Sequence, residues 1–162
     1  MVEDAIVVER ADQRTRIEHA YREQSQKMWR ALFGYAGDPE IASDALAESF
    51  ARALRFEGEI RDVPAWTWRV AFRLAAAELR RRRQAVSASD ASGYVMPEPV
   101  PELMDALRSL SPNQRLAVVL HDYGDRSTAD VAAVIGCSRA TVHVHLSQGR
   151  RRLRDVLEVP DE

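Results

Sequence analysis

The sequence predicts an all-α protein made of two small helical domains joined by a flexible linker, with a helix-turn-helix as the C-terminal domain. Apolar residues recur with the period of an α-helix over most of the 162 residues, and no segment alternates as a strand would. Capping residues mark helix ends in the second half, and one segment rich in Ser, Ala, Gly and Pro interrupts the periodicity near the middle.

The composition is that of a globular protein, and it excludes several functional classes. Apolar residues make up 46% of the chain and charged residues 30%. No apolar run reaches the roughly 20 residues that a membrane span needs, and Met1 to Asp12 is acidic, so we expect neither membrane insertion nor a secretory signal. Cys137 is the single cysteine. Because one cysteine can form neither an intramolecular disulfide nor a multi-cysteine metal site, we expect a cytoplasmic protein.

In the N-terminal half, the apolar periodicity predicts helices over 13–36 (as one helix or two), 39–56 and 64–83. Pro39 and Pro64 each lie in a first helical turn, where a missing N–H costs nothing. At 84–101 the composition shifts to linker residues. We therefore assign an N-terminal domain to 12–85, a linker to 86–100 and a C-terminal domain to 101–158.

Four more helices are predicted over 102–110, 112–123, 128–135 and 139–157. The segment Ser111–Gln114 forms a capping box with proline in the first turn. Ser127 and Ser138 can cap the last two helices, and Gly136 between them suits a left-handed C-terminal cap. Helix, tight turn and helix over 127–154 are typical of a helix-turn-helix.

The last helix has an apolar side and a polar, basic side. The apolar side carries Val142, Leu146, Gly149 and Leu153, and the opposite side carries Ala140, Val144, Ser147, Gln148 and Arg151, flanked by His143 and Arg154. Residues 139–154 contain five arginines and no acid. This side therefore suits a major groove, where Gln148 and the histidines can reach base edges. The alternative is a packed helical hairpin.

A second basic block lies on the helix over 64–83. Residues 64–85 contain six arginines against one glutamate. One apolar stripe, expected to face the core, consists of Trp66, Val70, Leu74 and Ala77, and a second consists of Trp68, Phe72 and Leu79. Between them run Arg69, Arg73, Arg80 and Arg83. Aromatic rings beside guanidinium groups suit unpaired bases and their phosphates. The alternative is a central helix buried on two sides, with its arginines reaching out to water.

Other chemistry finds little support in the sequence. His143 and His145 point about 200° apart on a helix, so they cannot chelate one metal ion. Asp44 and Glu48 lie one turn apart, but the Glu-x-x-His complement of a di-metal site is missing. We expect no catalytic residue, no bound metal and no cofactor.

Two stretches resemble the small, extracytoplasmic-function (ECF) sigma factors of bacterial RNA polymerase. The first consists of GDPEIASDALAESFARAL (37–54) and PAWTWRVAFRLAAAELRRRR (64–83), which are similar to the family's helices for core polymerase binding and −10 element recognition. The second, LRSLSPNQRLAVVLHDYGDRSTADVAAVIGCSRATVHVHLSQGRRRLR (107–154), is similar to its −35-binding domain. The two stretches occur in the family's order, with a linker between them.

The resemblance implies a non-enzymatic factor that directs promoter-specific initiation. Its implied partners are core polymerase (the coiled coil of the largest subunit and the flap of the second-largest), promoter DNA and, as in many relatives, an anti-sigma factor. The polymerase-binding residues are expected to be Asp44, Leu46, Glu48, Ala51 and Arg55. The −10-binding residues are expected to be Trp66, Trp68, Arg69, Phe72, Arg73 and Arg80. The −35-binding residues are expected to be Arg139, Thr141, His143, Val144, Ser147, Gln148, Arg150 and Arg151.

Several positions depart from the family's usual pattern. Ala47, Arg73 and Ala77 replace a common glutamine, asparagine and aspartate, and His143 to His145 lie where Lys, Ser and Arg are frequent. Arg126 occupies a normally apolar position. The departures at Arg73, Ala77 and His143 to His145 keep one alternative open, a sigma-like interaction protein that binds no promoter. A second alternative is a helix-turn-helix regulator with an N-terminal sensing or dimerisation bundle, which would not need the paired helices of 37–83.

Overall fold

The computed structural model describes residues 1–85 and 101–158, and these residues form an all-α fold without strands. Its helices are α1 (Val2–Ala36), α2 (Pro39–Arg55), α3 (Val63–Ala85), α4 (Pro101–Arg108), α5 (Pro112–Val118), α6 (Thr128–Ile135) and α7 (Arg139–Leu157), with a π-helical turn at Val119–Tyr123. The predicted linker, 86–100, lies outside the described residues. Among the helices that are described, none is long and apolar enough to cross a membrane.

Helices α1, α2 and α3 pack together as an N-terminal bundle. Asp38 caps α2 by accepting hydrogen bonds from the amides of Glu40 and Ile41, and Gly37 before it takes a left-handed φ of 67° to end α1. Helix α1 begins at Val2, earlier than predicted. The prediction missed its first turns because they are exposed and lack the apolar periodicity that marks a buried helix.

Helix α3 is buried on two sides, and the prediction of its core-facing stripe is wrong. Trp68 and Phe72 are the deeply buried rings, 1% and 0% exposed. Trp66 and Leu74, from the stripe expected to face the core, are only half-buried. The reason is tertiary: α1 and α2 cover one side of α3 while α6 covers another.

The C-terminal helices begin at the predicted caps. The side chains of Ser127 and Ser138 accept hydrogen bonds from backbone amides, Ser111 and Gln114 form the capping box, and Gly136 takes φ 81°. The helix predicted over 112–123 changes at Val119 to a π-helical turn. That wider turn is closed by the amide of Gly124, which donates to the carbonyl of Val119 at 2.9 Å.

The two sets of helices pack against each other, which the sequence did not predict. Buried residues from both halves form one continuous hydrophobic cluster. Gly124 lies so close to Trp68 that a Cβ at that position would be 2.8 Å from the indole ring. On the α1 side, a Cβ at Gly34 would lie 3.6 Å from Leu107. Residues 1–85 and 101–158 therefore share one core.

Candidate promoter and polymerase interfaces

Helix α7 presents a polar face on a buried apolar base. Val142, Leu146 and Gly149 are buried, and Gly149 permits a close approach because a Cβ there would lie 2.9 Å from Val118. The predicted residues that are exposed on α7 are Arg139, His143, Val144, Ser147, Gln148, Arg150 and Arg151. The face is accessible along several turns and carries no acidic side chain between 139 and 154.

Three of the predicted −35-binding residues, Thr141, Gln148 and Arg150, form hydrogen bonds with neighbouring side chains. Thr141 is half-buried, and its hydroxyl lies 2.9 Å from that of Ser138. The amide group of Gln114 donates to the side-chain oxygen of Gln148 at 3.1 Å.

Arg150 forms a two-pronged ion pair with Asp122 of the π-helical turn, at 2.9 and 2.5 Å. The hydrogen bond that Arg150 donates to this carboxylate raises the pKa of the guanidinium. Arg150 is therefore directed back toward its own domain, whereas Arg139 and Arg151 face outward.

The predicted −10-binding residues of α3 lie in three different environments. Trp68 and Phe72 stack on each other at 5.9 Å and are buried, so neither ring is available to a base in this arrangement. Trp66 is half-buried beside Phe56, with 5.7 Å between ring centroids. Arg80 is exposed and lines a cavity of about 220 Å³ among α1, α3, α5 and α6.

The remaining two arginines of that set contact the helix-turn-helix domain. Arg69 pairs with Asp130 of α6 at 3.3 Å. Arg73 donates to the backbone carbonyl of Ala133 at 2.7 Å. The part of α3 predicted to meet DNA is thus the part that meets α6.

The neighbouring Arg80 to Arg83 run has a structural use that sequence reasoning missed. Glu78 accepts hydrogen bonds from Arg81 and Arg82, which lower the pKa of its carboxyl to about 2. Arg82 also pairs with Asp38 at 2.7 Å and so ties α3 to the start of α2. The acid placed three and four residues before these arginines is the signal that could have predicted this network.

Sequence reasoning also missed the contacts of the loop before α6. The guanidinium of Arg126 lies 5.2 Å from the centroid of Trp68, and Lys27 of α1 pairs with Asp125 at 2.5 Å. That pairing lowers the pKa of Asp125, chiefly through the hydrogen bond. The departure noted at Arg126, an arginine at a normally apolar position, is the signal that could have pointed to these contacts.

The predicted polymerase-binding residues lie along one side of α2. Asp44 and Arg55 are exposed, while Leu46, Glu48 and Ala51 are half-buried. Glu48 accepts hydrogen bonds from Arg52 at 2.9 Å and Arg55 at 3.0 Å. These bonds, that of Arg52 foremost, lower the pKa of Glu48. The face therefore combines the exposed carboxylate of Asp44 with Glu48, whose charge is neutralised by the two arginines.

Comparisons with known proteins agree with this architecture. Residues 101–153 match the family described as "Sigma-70, region 4". The chain is 31% identical over 154 residues to the RNA polymerase sigma-E factor of Streptomyces antibioticus, covering 89% of this chain and 86% of that protein. It is 29% identical to the ECF RNA polymerase sigma factor SigE of Mycolicibacterium smegmatis over 84% of this chain, but spans only 59% of that longer protein.

A solved structure shows the same fold across both sets of helices. The sigma factor RpoE of Bartonella quintana, in complex with the anti-sigma factor NepR, superposes with a TM-score of 0.73 at 20% identity, covering 89% of this chain and 98% of that one. The relatives match both halves of the chain in order, and the helix-turn-helix matches region 4 in its own right. With these matches over both sets of helices, this chain belongs to the ECF sigma factors of bacterial RNA polymerase.

Proposed function

We propose that the protein directs promoter-specific transcription initiation by binding core RNA polymerase and recognising the −10 and −35 promoter elements. It acts as a non-catalytic initiation factor in the cytoplasm, where polymerase and chromosome meet. The observation that carries the proposal is the exposed, acid-free face of α7, set on a capped helix-turn-helix in a chain of this family.

Residues 101–158 form the proposed −35-binding domain. A helix of this width enters a major groove, and side chains on its outer face read base edges while arginines contact phosphates. We expect His143 and Ser147 to contact bases, and Arg139 and Arg151 to contact the backbone. Because His143 to His145 depart from the usual residues, we expect an unusual −35 sequence.

Residues 12–85 form the proposed polymerase- and −10-binding domain. Asp44 and its neighbours on α2 dock on the coiled coil of the largest polymerase subunit, and the arginines of α3 contact the melted −10 strand. The flap of the second-largest subunit is the proposed contact of the C-terminal domain. An anti-sigma factor is a proposed regulator, and residues 86–100 are the proposed linker between the two domains.

Run-off transcription with purified core polymerase on fragmented genomic DNA tests the function. We expect discrete start sites that require the protein and share two spaced elements. Matched reactions lacking the protein, and reactions with a variant reversed at Asp44 and Glu48, serve as controls. Sequence-specific DNA binding without any core-dependent transcript would indicate a plain helix-turn-helix regulator. Binding to core without promoter selection would indicate a sigma-like interaction protein.

A further inference from the structure

Gln148 on α7 is hydrogen-bonded to Gln114 on α5. The amide nitrogen of Gln114 donates to the side-chain oxygen of Gln148 at 3.1 Å. Gly149 allows the two helices to come this close, because a Cβ there would lie 3.5 Å from the Cβ of Gln114 and 2.9 Å from Val118. Gln114 is half-buried, whereas Gln148 is exposed. A residue outside the proposed recognition helix therefore holds one of the exposed side chains of that helix.

The start of α5 fixes the direction of this hydrogen bond. The backbone amide of Ser111 donates to the side-chain oxygen of Gln114 at 3.2 Å, as one half of the capping box. Because a backbone N–H can only donate, the oxygen of Gln114 must face Ser111 and its NH₂ group must face Gln148. Gln148 then accepts on its oxygen, and its own NH₂ group points away from α5. The three residues form a relay of hydrogen bonds that runs in one direction, from Ser111 through Gln114 to Gln148.

We propose that Gln114 is a positioning residue for base recognition, which holds Gln148 so that α7 presents an amide donor to the major groove. The inference rests on the proposed −35 function of α7. In the major groove guanine and thymine expose a keto oxygen, whereas adenine and cytosine expose an amino group. An NH₂ group can donate to the keto oxygen but finds no acceptor in the amino group. The base that Gln148 contacts is therefore guanine or thymine.

A glutamine without this hydrogen bond would favour a different base. Its oxygen and its NH₂ group together match the amino group and N7 of adenine, which is the common bidentate contact of this side chain. That contact requires both ends of the amide to face the base. The hydrogen bond from Gln114 turns the oxygen of Gln148 toward α5 instead. Gln114 thereby changes which base is preferred without contacting the DNA itself.

The substitution Gln114→Glu reverses the relay and keeps the helix cap. A carboxylate accepts the amide of Ser111 as the glutamine oxygen does, and glutamate serves in capping boxes as glutamine does. The carboxylate cannot donate, so Gln148 must turn its NH₂ group toward α5 and its oxygen toward the groove. The preferred base should then change from guanine or thymine to adenine or cytosine.

Promoter selection by the holoenzyme tests this change. Full-length protein and purified core polymerase select from a library of promoters randomised across the −35 element. The position that Gln148 reads is the one at which Gln148→Ala removes the preference, and Gln148→Arg marks the contacted strand because arginine selects guanine. At that position we expect the wild type to favour guanine or thymine, and Gln114→Glu to favour adenine or cytosine, each by about fivefold.

Ser111→Ala is the matched control for the stability of α5. It removes the hydroxyl that accepts the amide of Gln114, while the backbone amide of residue 111 still holds the Gln114 side chain. We expect this variant to keep the wild-type base preference. An equal shift in Ser111→Ala and Gln114→Glu would assign the effect to loosening of the helix start and would overturn the proposal.

The remaining outcomes separate the relay from the proposed function. The same base preference in the wild type and in Gln114→Glu would overturn the relay and leave the −35 function standing. A Gln148→Ala variant that keeps every base preference would do the same. If the wild-type holoenzyme selects no −35 sequence, the proposed function is wrong, and the relay has no role in recognition.

Discussion

Replacing Ser138 by alanine isolates the contribution of the α7 cap to stability. The serine hydroxyl accepts a hydrogen bond from the backbone amide of Thr141 at 3.1 Å and lies 2.9 Å from the threonine hydroxyl. Ser138 is exposed, so its loss leaves no cavity and the cost is that of the cap alone. We expect Ser138→Ala to lower the free energy of unfolding by about 1 kcal/mol.

The melting temperature shows which unit unfolds. A loss of about 1 kcal/mol lowers the melting temperature by about 2–4 °C if both sets of helices unfold together, and by about 4–8 °C if a domain of 60–100 residues unfolds alone. Circular dichroism at 222 nm with thermal and urea melts measures both quantities. The control is Ser127→Ala, which removes an equivalent cap from α6, where the serine accepts the amide of Asp130 at 3.0 Å.

A third variant separates stability from DNA binding. Ser138→Asp keeps an acceptor at the helix start and adds a negative charge at the positive end of α7, so its stability should match or exceed that of the wild type. The same charge faces the proposed path of the DNA backbone, so affinity for a −35 duplex should fall. An unchanged stability of Ser138→Ala would refute the capping argument. Undiminished DNA binding by Ser138→Asp would refute the placement of α7 in the groove.

Three further outcomes are expected. Reversing the charges of Asp44 and Glu48 should weaken binding to core polymerase in a titration by about tenfold or more, with only a small effect on stability because solvent-screened ion pairs contribute little to folding; unchanged affinity would contradict the docking assignment. Arg151→Gln should reduce the salt dependence of duplex binding by about one counterion for all sequences, and an altered base preference instead would assign Arg151 to base contacts. Because the pKa of Glu78 is lowered to about 2 in the folded state, its stabilising effect is full above the unfolded pKa and is lost as pH falls toward 2. Glu78→Gln should therefore be less stable than the wild type at neutral pH, but it should lose less stability than the wild type when the pH is lowered. Equal losses of stability in the two proteins on acidification would contradict this.

Local sequence signals were sufficient to predict most of the described helices of this protein. Caps act within one turn of the chain, so Ser111, Ser127 and Ser138 marked helix starts without knowledge of the rest of the fold. Gly136 marked a helix end for the same reason, since its left-handed backbone is a local requirement. The outward face of α7 was also predictable, because the positions that pack inside one domain repeat with the helical period.

The environment of α3 was decided by the tertiary structure. Its two apolar stripes are equivalent in the sequence, and only the positions of α1, α2 and α6 determine that Trp68 and Phe72 become the buried pair. The pairing of Lys27 with Asp125 joins residues 98 positions apart, and no local pattern encodes such a contact.

Sequence by itself thus determined most of the helical segments and the starts of the capped helices, because propensity, capping and periodicity are local. The tertiary structure decided which of those faces remain open, because burial depends on the element that arrives from elsewhere in the chain. For α3, the same arginines that are typical of a DNA-binding helix are occupied by α6 in the folded protein.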